Sequence, residues 1–385
     1  MKKVMLFLLV CLLGFASLGW SVIGAAAESE TELISGCKAA YLCDWRSGTK
    51  VYEDNAYEHL PIASMCKIMT LVLCFEELDR GLTLGERIPV SETASGMGGS
   101  QVFLEAGGEY IASDLIKSIC IASANDSCVA MAERISGSEK LFVKKMNERA
   151  KALGMNDTAF VNCTGLPAAG QYSCAHDVAV MLSELLRHGD YFYYSRIWMD
   201  TITHKDGRVT EMANTNKLIR SYQGCDAGKT GYTSEAGFCL AASAERGNLR
   251  AVAVVIGATD SKTRFDNTRT MFDYVFANYT SKAVLEENVL DGALCKVVGG
   301  KKKEIAVRPA RPAYVFCSKD DTDAIDCVTQ LEELKAPVAA GDAAGAVVVY
   351  KNGVEYDRIP LIANEDSARC SYLDSLRDVA ENWGF

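Results

Sequence analysis

The chain has 385 residues, of which 49% are hydrophobic and 23% are charged, with only seven prolines. This composition is that of a globular protein, and the length is enough for two or more domains whose cores need no disulfide or metal ion. The formal charge of −10 gives no reason to expect a nucleic-acid partner, because phosphate binding depends on clustered lysines and arginines.

The N-terminus has the features of a secretory signal. Lys2 and Lys3 precede an apolar run at 4–24, and small residues precede an acidic segment. We expect a signal peptide at 1–27 and therefore an exported protein of the extracytoplasmic envelope. The apolar run is also long enough to be an uncleaved membrane anchor.

Fifteen cysteines, fourteen of them after the signal, would suggest a disulfide framework in an exported protein. The chain is large, however, and its cysteines lie in apolar stretches such as 71–75 and 118–129, with no Cys-x-x-Cys pair. We therefore predict buried cysteines that act as small hydrophobes, with an extensive disulfide set as the alternative. The four histidines form no metal-binding cluster of the usual spacing, so we expect no metal or other cofactor.

Secondary-structure patterns predict an α+β fold. Strands at 37–44 and 50–53 flank a turn, and a helix is expected from Ser64 to Leu78, where apolar residues recur at helical spacing. A hairpin then joins the strand-like runs 237–244 and 249–258. Further helices are predicted at 112–121, 127–135, 139–153, 176–188 and 264–278.

The sequence pattern changes beyond residue 282, to short runs of alternating polar and apolar residues interrupted by glycine and proline. We predict a first domain at 32–280 and a small all-β domain at 283–365. The tail at 366–385 has an amphipathic pattern, but its polar face is acidic, whereas helices on membrane surfaces are usually basic. Packing or fraying of this tail is expected, with peripheral membrane contact as the alternative.

Three Ser-x-x-Lys strings occur, beginning at Ser35, Ser47 and Ser64. Only the third lies at the start of a long predicted helix, where side chains three residues apart share a face and the helix N-terminus favours negative charge on a serine oxygen. Lys67 could take the serine proton if burial or a second cation lowered its pKa. By itself, Ser64 would more often be a helix N-cap than a catalytic residue.

Two further strings favour catalysis. Ser123 and Asn125 form a Ser-x-Asn string in a break between predicted helices, and Lys229-Thr230-Gly231 opens the strand region. In isolation each would be a helix boundary or a strand start. In this order, the three strings match the set found in serine enzymes that recognise penicillin.

At these motifs the chain resembles the low-molecular-weight penicillin-binding proteins that are D-alanyl-D-alanine carboxypeptidases, peptidase family S11. The resemblance covers most of residues 32–365 and includes the segments 60–70, 114–126, 162–166, 226–236 and 334–361. It implies a β-lactamase/transpeptidase-like domain, an antiparallel sheet flanked by helices with a helical subdomain, followed by a small all-β domain.

Some positions depart from the usual pattern of the family. Met65 and Cys66 precede the lysine where threonine is common, Cys163 stands where proline is frequent, and Gln171 stands where histidine is frequent. None of these departures removes a catalytic group, so they bear on rate and fine specificity rather than on the reaction.

The resemblance implies a serine acyl-enzyme mechanism. Ser64 would attack the bond between the two terminal D-alanines of a peptidoglycan stem peptide, with Lys67 as the base. The backbone N–H groups of Ser64 and Tyr232 would stabilise the oxyanion, and Ser123 would relay a proton to the leaving amine. β-Lactam antibiotics would act as inhibitors.

The resemblance also assigns substrate-binding residues. Asn125 would hold the substrate amide, Gly231 would allow close approach of the substrate, and Lys229, Thr230 and Arg264 would attract its free carboxylate. A cation at that position would explain why a C-terminal residue is removed.

Three other functions remain open from sequence. A class A type β-lactamase would need an additional carboxylate to activate water, and no Glu-x-x-Leu-Asn string follows Asn125. A non-catalytic peptidoglycan-binding protein of the envelope is the alternative from another class, although all motif side chains are present. A transpeptidase would differ only in whether an amine or water takes the acyl group.

Overall fold

A computed structural model describes residues 33–374, so the predicted signal peptide and the end of the tail, 375–385, lie outside the described residues. The helices are α1 (Lys67–Asp79), α2 (Glu92–Ser95), α3 (Ala112–Ile121), α4 (Asn125–Ser136), α5 (Glu139–Ala152), α6 (Ala175–Leu185), α7 (Tyr191–Ser195), α8 (Leu218–Ser221) and α9 (Ser261–Asn278). A 3₁₀ turn, Ala63–Cys66, leads directly into α1.

Most strands pair antiparallel. They are β1 (Ala39–Asp44), β2 (Lys50–Asp54), β3 (Arg87–Pro89), β4 (Glu109–Ile111), β5 (Met199–Thr203), β6 (Val209–Ala213), β7 (Cys225–Thr233), β8 (Gly237–Arg246), β9 (Leu249–Ala258), β10 (Tyr279–Leu285), β11 (Leu294–Val298), β12 (Glu304–Pro309), β13 (Ala313–Ser318), β14 (Ile325–Leu331), β15 (Leu334–Lys335), β16 (Ala343–Lys351) and β17 (Val354–Ala363).

A five-stranded antiparallel sheet in the order β2-β1-β9-β8-β7 organises the first part of the chain. Nearly all of β9 is buried, because α6 packs against β1 and β9 while α9 packs against β8 and β9. Val252, Val254 and Ile256 belong to the core shared with the helices. Since side chains alternate along a strand, the residues between them lie on the opposite face of the sheet.

Helix α1 is central to the helical part of the molecule. Nine of its thirteen residues are buried, including Lys67, and it packs against α3, α4, α5 and α6. A helix that is buried around most of its circumference occupies the interior of a domain. The helix therefore places its first residue, and the turn before it, at a fixed depth in the protein.

The C-terminal part is all β. A six-stranded sheet has the order β14-β16-β17-β12-β11-β15, and β10 pairs with β13. Val307, Val347 and Leu361 belong to a separate core within this part. Strand β10 runs without interruption across residues 280–283, where the sequence places the domain boundary, and the two-domain division stays a prediction.

The predicted α+β class is confirmed. The six long predicted helices are present, with ends within a few residues of the expected positions, and β9 has the predicted bounds. The hairpin of β5 and β6 was not predicted, although Asp206 and Gly207 form a turn signal between two alternating runs.

The cysteine prediction is confirmed for the described residues. All fourteen cysteines within 33–374 are free thiols, and eleven of them are buried. Between residues 33 and 374, no helix combines the length and apolar character that crossing a membrane requires.

A buried ion pair ties β7 to β9 across β8. The Arg250 guanidinium donates to both carboxylate oxygens of Asp226, at 2.8 and 3.0 Å, and to Ser243 Oγ at 2.9 Å. The Arg250 and Asp226 side chains are only 5% and 11% exposed. The pair therefore fixes the register of β7, the strand that carries Lys229.

We expect Arg250→Met to destabilise the protein by about 3–5 kcal/mol, because it leaves Asp226 buried with less charge compensation. Arg311 is the matched control, since it makes a similar two-point contact with Asp357 at 2.9 and 2.6 Å but is half exposed. Arg311→Met should cost less than about 1 kcal/mol. Urea unfolding checks both values, and equal losses would contradict the structural role of Arg250.

Candidate active site

The nucleophile candidate lies in the turn before α1. Ala63 has a φ of +47°, in the left-handed region, and Ser64 follows it. Lys67 is the first residue of α1, and its Nζ lies 2.9 Å from Ser64 Oγ. Strained backbone of this kind is concentrated at functional sites, where the surrounding structure holds it in place. The turn brings the predicted serine and lysine into direct contact.

Lys67 is fully buried, and its Nζ also donates to the backbone carbonyl of Thr164. Burial lowers the pKa of Lys67 from its ordinary value of 10.5 because the charged ammonium loses its hydration. Within the described part of the chain, no carboxylate forms an ion pair with Lys67. A lysine in these surroundings can be neutral and accept the serine proton.

The loop after α5 supports the turn that carries the nucleophile candidate, Ser64. Asn162 Oδ1 accepts hydrogen bonds from the backbone N–H groups of Thr164, at 3.1 Å, and Gly165, at 2.7 Å. A Cβ on Gly165 would lie 2.0 Å from the carbonyl oxygen of Ala63. Only glycine allows the loop to approach the turn this closely, and this contact places the Thr164 carbonyl on Lys67.

The second motif occupies the break between α3 and α4. Ser123 has a φ of +63°, and Asn125 Nδ2 donates to the Gly98 carbonyl at 2.7 Å. Ser123 Oγ and Asn125 Oδ1 are buried and have no hydrogen-bond partner among the described residues. Unpaired buried polar atoms cost free energy, so a bound substrate that pairs with them would recover that loss.

The third motif lies on β7. Lys229 is buried, and its Nζ donates to the Thr230 carbonyl at 3.0 Å. Burial, together with the neighbouring charge of Lys67, lowers the pKa of Lys229 to about 7. Thr230 Oγ1 donates to Thr215 Oγ1 at 2.8 Å. Two buried amines near each other favour loss of a proton from one of them.

Strand β7 lies against the nucleophile turn. A Cβ on Gly231 would lie 2.7 Å from the carbonyl oxygen of Ile62 and 3.2 Å from the backbone nitrogen of Ser64. Tyr232 follows with an exposed side chain that packs on Phe238, with ring centroids 4.4 Å apart. Because Gly231 has no side chain, β7 can contact the turn that carries Ser64.

Arg264 extends from α9 to the same strand. Its NH1 donates to the carbonyls of Gly231, at 3.2 Å, and Cys239, at 3.3 Å. Its Nε is buried and has no partner among the described residues. The guanidinium therefore supports the backbone of β7 and β8 and still has an N–H that a ligand could use.

In the structure, Ser64 contacts both Lys67 and Gly231. Lys229 lies close enough to Lys67 that the charge of Lys67 lowers the pKa of Lys229. No hydrogen bond within 33–374 links Ser123 to Ser64. Two contacts in the site were not predicted from the sequence. The Thr164 carbonyl contacts Lys67, and the Thr215 hydroxyl contacts Thr230. The only sequence signal for Thr164 was the polar, glycine-containing segment at 162–166.

The site combines a serine and a buried lysine at the start of a helix with a Ser-x-Asn turn and a Lys-Thr-Gly strand. Together these features define a serine enzyme of the penicillin-recognising class. The family model described as D-alanyl-D-alanine carboxypeptidase matches residues 26–260, and the model described as penicillin-binding protein 5, C-terminal domain, matches 280–369. The chain belongs to the D-alanyl-D-alanine carboxypeptidase family.

Individual relatives are similar over most of the chain. Identity to the D-alanyl-D-alanine carboxypeptidase DacF of Bacillus subtilis (strain 168) is 39% over 356 residues, covering 92% of this chain and 91% of that protein. Identity to DacC of Escherichia coli (strain K12) is 30% over 356 residues, covering 89% and 87%. Penicillin-binding protein 5 of Haemophilus influenzae superposes with a TM-score of 0.67 at 26% identity, covering 87% and 98%.

Gly165→Ala should slow acylation of Ser64 by a penicillin roughly 100-fold, because the new methyl group displaces Ala63 and the nucleophile. Gly170 is the matched control: its φ of +84° resembles the +82° of Gly165, but a Cβ there contacts nothing within 4 Å. Both variants should lose about 1–2 kcal/mol of stability from the left-handed backbone. Stopped-flow acylation and thermal melts separate the two effects, and equal acylation rates would contradict the proposed contact.

Proposed function

We propose that this protein is a serine-type D-Ala-D-Ala carboxypeptidase that removes the terminal D-alanine from peptidoglycan stem peptides through an acyl-enzyme on Ser64. The observation that carries the proposal is the 2.9 Å contact of Ser64 Oγ with the Nζ of a fully buried lysine, Lys67. The signal at 1–27 would export the enzyme to the outer side of the cytoplasmic membrane, where this substrate lies. β-Lactams would acylate the same serine.

The first step needs a base. Neutral Lys67 would accept the hydroxyl proton while Ser64 Oγ attacks the carbonyl carbon of the penultimate D-alanine. Burial lowers the pKa of Lys67, which increases the share of neutral amine at a given pH. The carbonyl of Thr164 would orient the amine toward Ser64.

The negative charge that develops on the carbonyl oxygen needs nearby donors. The backbone N–H groups of Ser64 and Tyr232 would provide them, one from the turn and one from β7. The close approach of Gly231 to the Ser64 nitrogen supports this pairing, because it brings the two backbone segments together.

Collapse of the intermediate breaks the peptide bond, and the leaving D-alanine nitrogen needs a proton. Ser123 would relay that proton from the protonated Lys67 to the amine, and its unpaired Oγ is free to do so. Asn125 would hold the substrate amide through Oδ1, which also has no partner among the described residues. Water then attacks the acyl-enzyme, with Lys67 again as the base, and releases the shortened peptide.

Recognition of the terminal carboxylate would fall to the cationic side of the site. Thr230 would donate a hydrogen bond, while Lys229 and Arg264 would provide positive charge close to β7. Lys229 holds this charge below its pKa of about 7 in the free protein, and a bound carboxylate would favour its protonated form.

Ser64→Ala should abolish covalent labelling by a fluorescent penicillin, because it removes the hydroxyl that contacts Lys67 Nζ. Ser35→Ala and Ser47→Ala, which change the serines of the other two Ser-x-x-Lys strings, should label at the wild-type rate. Gel fluorescence after a fixed incubation provides the measurement. Labelling that survives Ser64→Ala would show that another residue is the nucleophile.

Arg264→Ala should lower kcat/KM for a diacetyl-L-Lys-D-Ala-D-Ala peptide about 10- to 100-fold, as expected for loss of a charged hydrogen bond. The corresponding C-terminal amide should be affected much less, since it has no carboxylate. Arg269→Ala is the control on the same helix, because its guanidinium instead pairs with Asp266 at 2.8 Å. Equal losses on the acid and the amide would assign Arg264 a purely structural role.

A further inference from the structure

The first turn of α6 and the residue before it carry three side chains of metal-binding type, none of which belongs to the catalytic motifs. They are Cys174, His176 and Asp177, and one donor atom from each lies within 4.8 Å of the other two. Among residues 33–374 this is the one group of three cysteine, histidine or acidic side chains that converges in this way.

The separations among the three donor atoms can be compared with those of a tetrahedral metal site. His176 Nδ1 lies 3.0 Å from Asp177 Oδ1, and all three donor atoms lie within 4.8 Å of one another. With Zn–N and Zn–O bonds of about 2.0–2.1 Å and a Zn–S bond of about 2.3 Å, neighbouring ligands are about 3.3–3.6 Å apart. Side-chain movements of about 1 Å would therefore close the site.

Two of the three ligands are already held in position. Asp177 Oδ2 accepts hydrogen bonds from the Asp157 backbone N–H, at 2.9 Å, and from Thr158 Oγ1, at 2.8 Å, which leaves Oδ1 facing His176. The His176 ring stacks on Tyr57, with ring centroids 5.0 Å apart, and meets Tyr41 edge-on. Supporting contacts of this kind orient ligands in established metal sites.

Burial and charge also suit a metal ion. Cys174 and Asp177 are buried, whereas the His176 side chain is 28% exposed, so one side of the group is open to solvent. A thiolate and a carboxylate would neutralise a divalent ion, and the neutral imidazole would complete the protein ligands. Sulfur and nitrogen donors favour Zn²⁺ over Mg²⁺ or Ca²⁺.

We propose that Cys174, His176 and Asp177 bind one divalent transition-metal ion, Zn²⁺ by the character of its donors, with water in the remaining position. Histidine spacing alone did not indicate this site, because two of the ligands are a cysteine and an aspartate. The proposal stands independently of the proposed carboxypeptidase function.

The position of the site points to a structural role. Ser173, the residue before Cys174, exchanges two backbone hydrogen bonds with Leu60, at 2.8 and 3.0 Å. Leu60 begins the segment that enters the nucleophile turn four residues later. A metal ion at the start of α6 would thus stabilise the support of that segment, since binding to the folded state adds to its stability.

Co²⁺ titration of the purified, reduced and metal-free protein tests the proposal, followed by the near-ultraviolet charge-transfer absorption of a cobalt–thiolate bond. We expect one Co²⁺ per chain, displaced by Zn²⁺. Cys174→Ser should lose the absorption yet keep the helix, because serine is itself a good N-cap. His176→Gln should weaken Co²⁺ binding at least about 10-fold.

Cys327→Ser is the control, because Cys327 is the exposed cysteine of β14. This substitution should leave the absorption unchanged. Zn²⁺ should raise the melting temperature of the wild type and of Cys327→Ser, but not that of Cys174→Ser. A cooperative thermal melt reports whether each variant is folded. Absence of the absorption in the wild type, or its persistence in folded Cys174→Ser, would overturn the proposal.

Discussion

The contact between Ser64 Oγ and the buried Lys67 amine is the interaction on which the rest of the site depends. A serine hydroxyl is a weak nucleophile, and a hydrated lysine is a poor base because it is protonated at neutral pH. Burial of α1 on most of its surface removes the hydration of Lys67, and the Thr164 carbonyl directs the amine toward the serine. The hydrophobic core therefore has a chemical consequence: it lowers the pKa of Lys67, the proposed base.

A second constraint is that residues of the helical part and residues of the five-stranded sheet must lie within a few ångströms of each other. The proposed nucleophile belongs to the helical part, whereas Lys229 belongs to the edge strand of the sheet, and the two surfaces touch where Gly231 has no side chain. The Arg250–Asp226 pair holds that edge strand in register. With both parts fixed, the two lysines share one buried environment, and the charge of Lys67 helps to lower the pKa of Lys229.

Local patterns in the sequence predicted the long helices, the hairpin of β8 and β9, and the three motifs, because each depends on neighbours within about four residues. The Thr164 carbonyl and the Thr215 hydroxyl could not be predicted, since they reach the site through loops distant in sequence. Two departures from the family pattern also gain a physical account. The Cys163 N–H donates to Glu139, which proline could not do, and Gln171 Oε1 accepts from the Asn162 N–H at 2.9 Å.

The most direct test of this account is the pH dependence of Ser64 acylation by a penicillin, measured for the wild type and for Lys67→Arg. If neutral Lys67 is the base, the wild-type rate should rise with pH and level off below 10.5, the ordinary pKa of lysine. Arginine stays protonated, so the variant should be slower by roughly 100-fold or more at every pH. A wild-type rate that keeps rising to pH 10.5, or a variant with the same profile, would contradict the account.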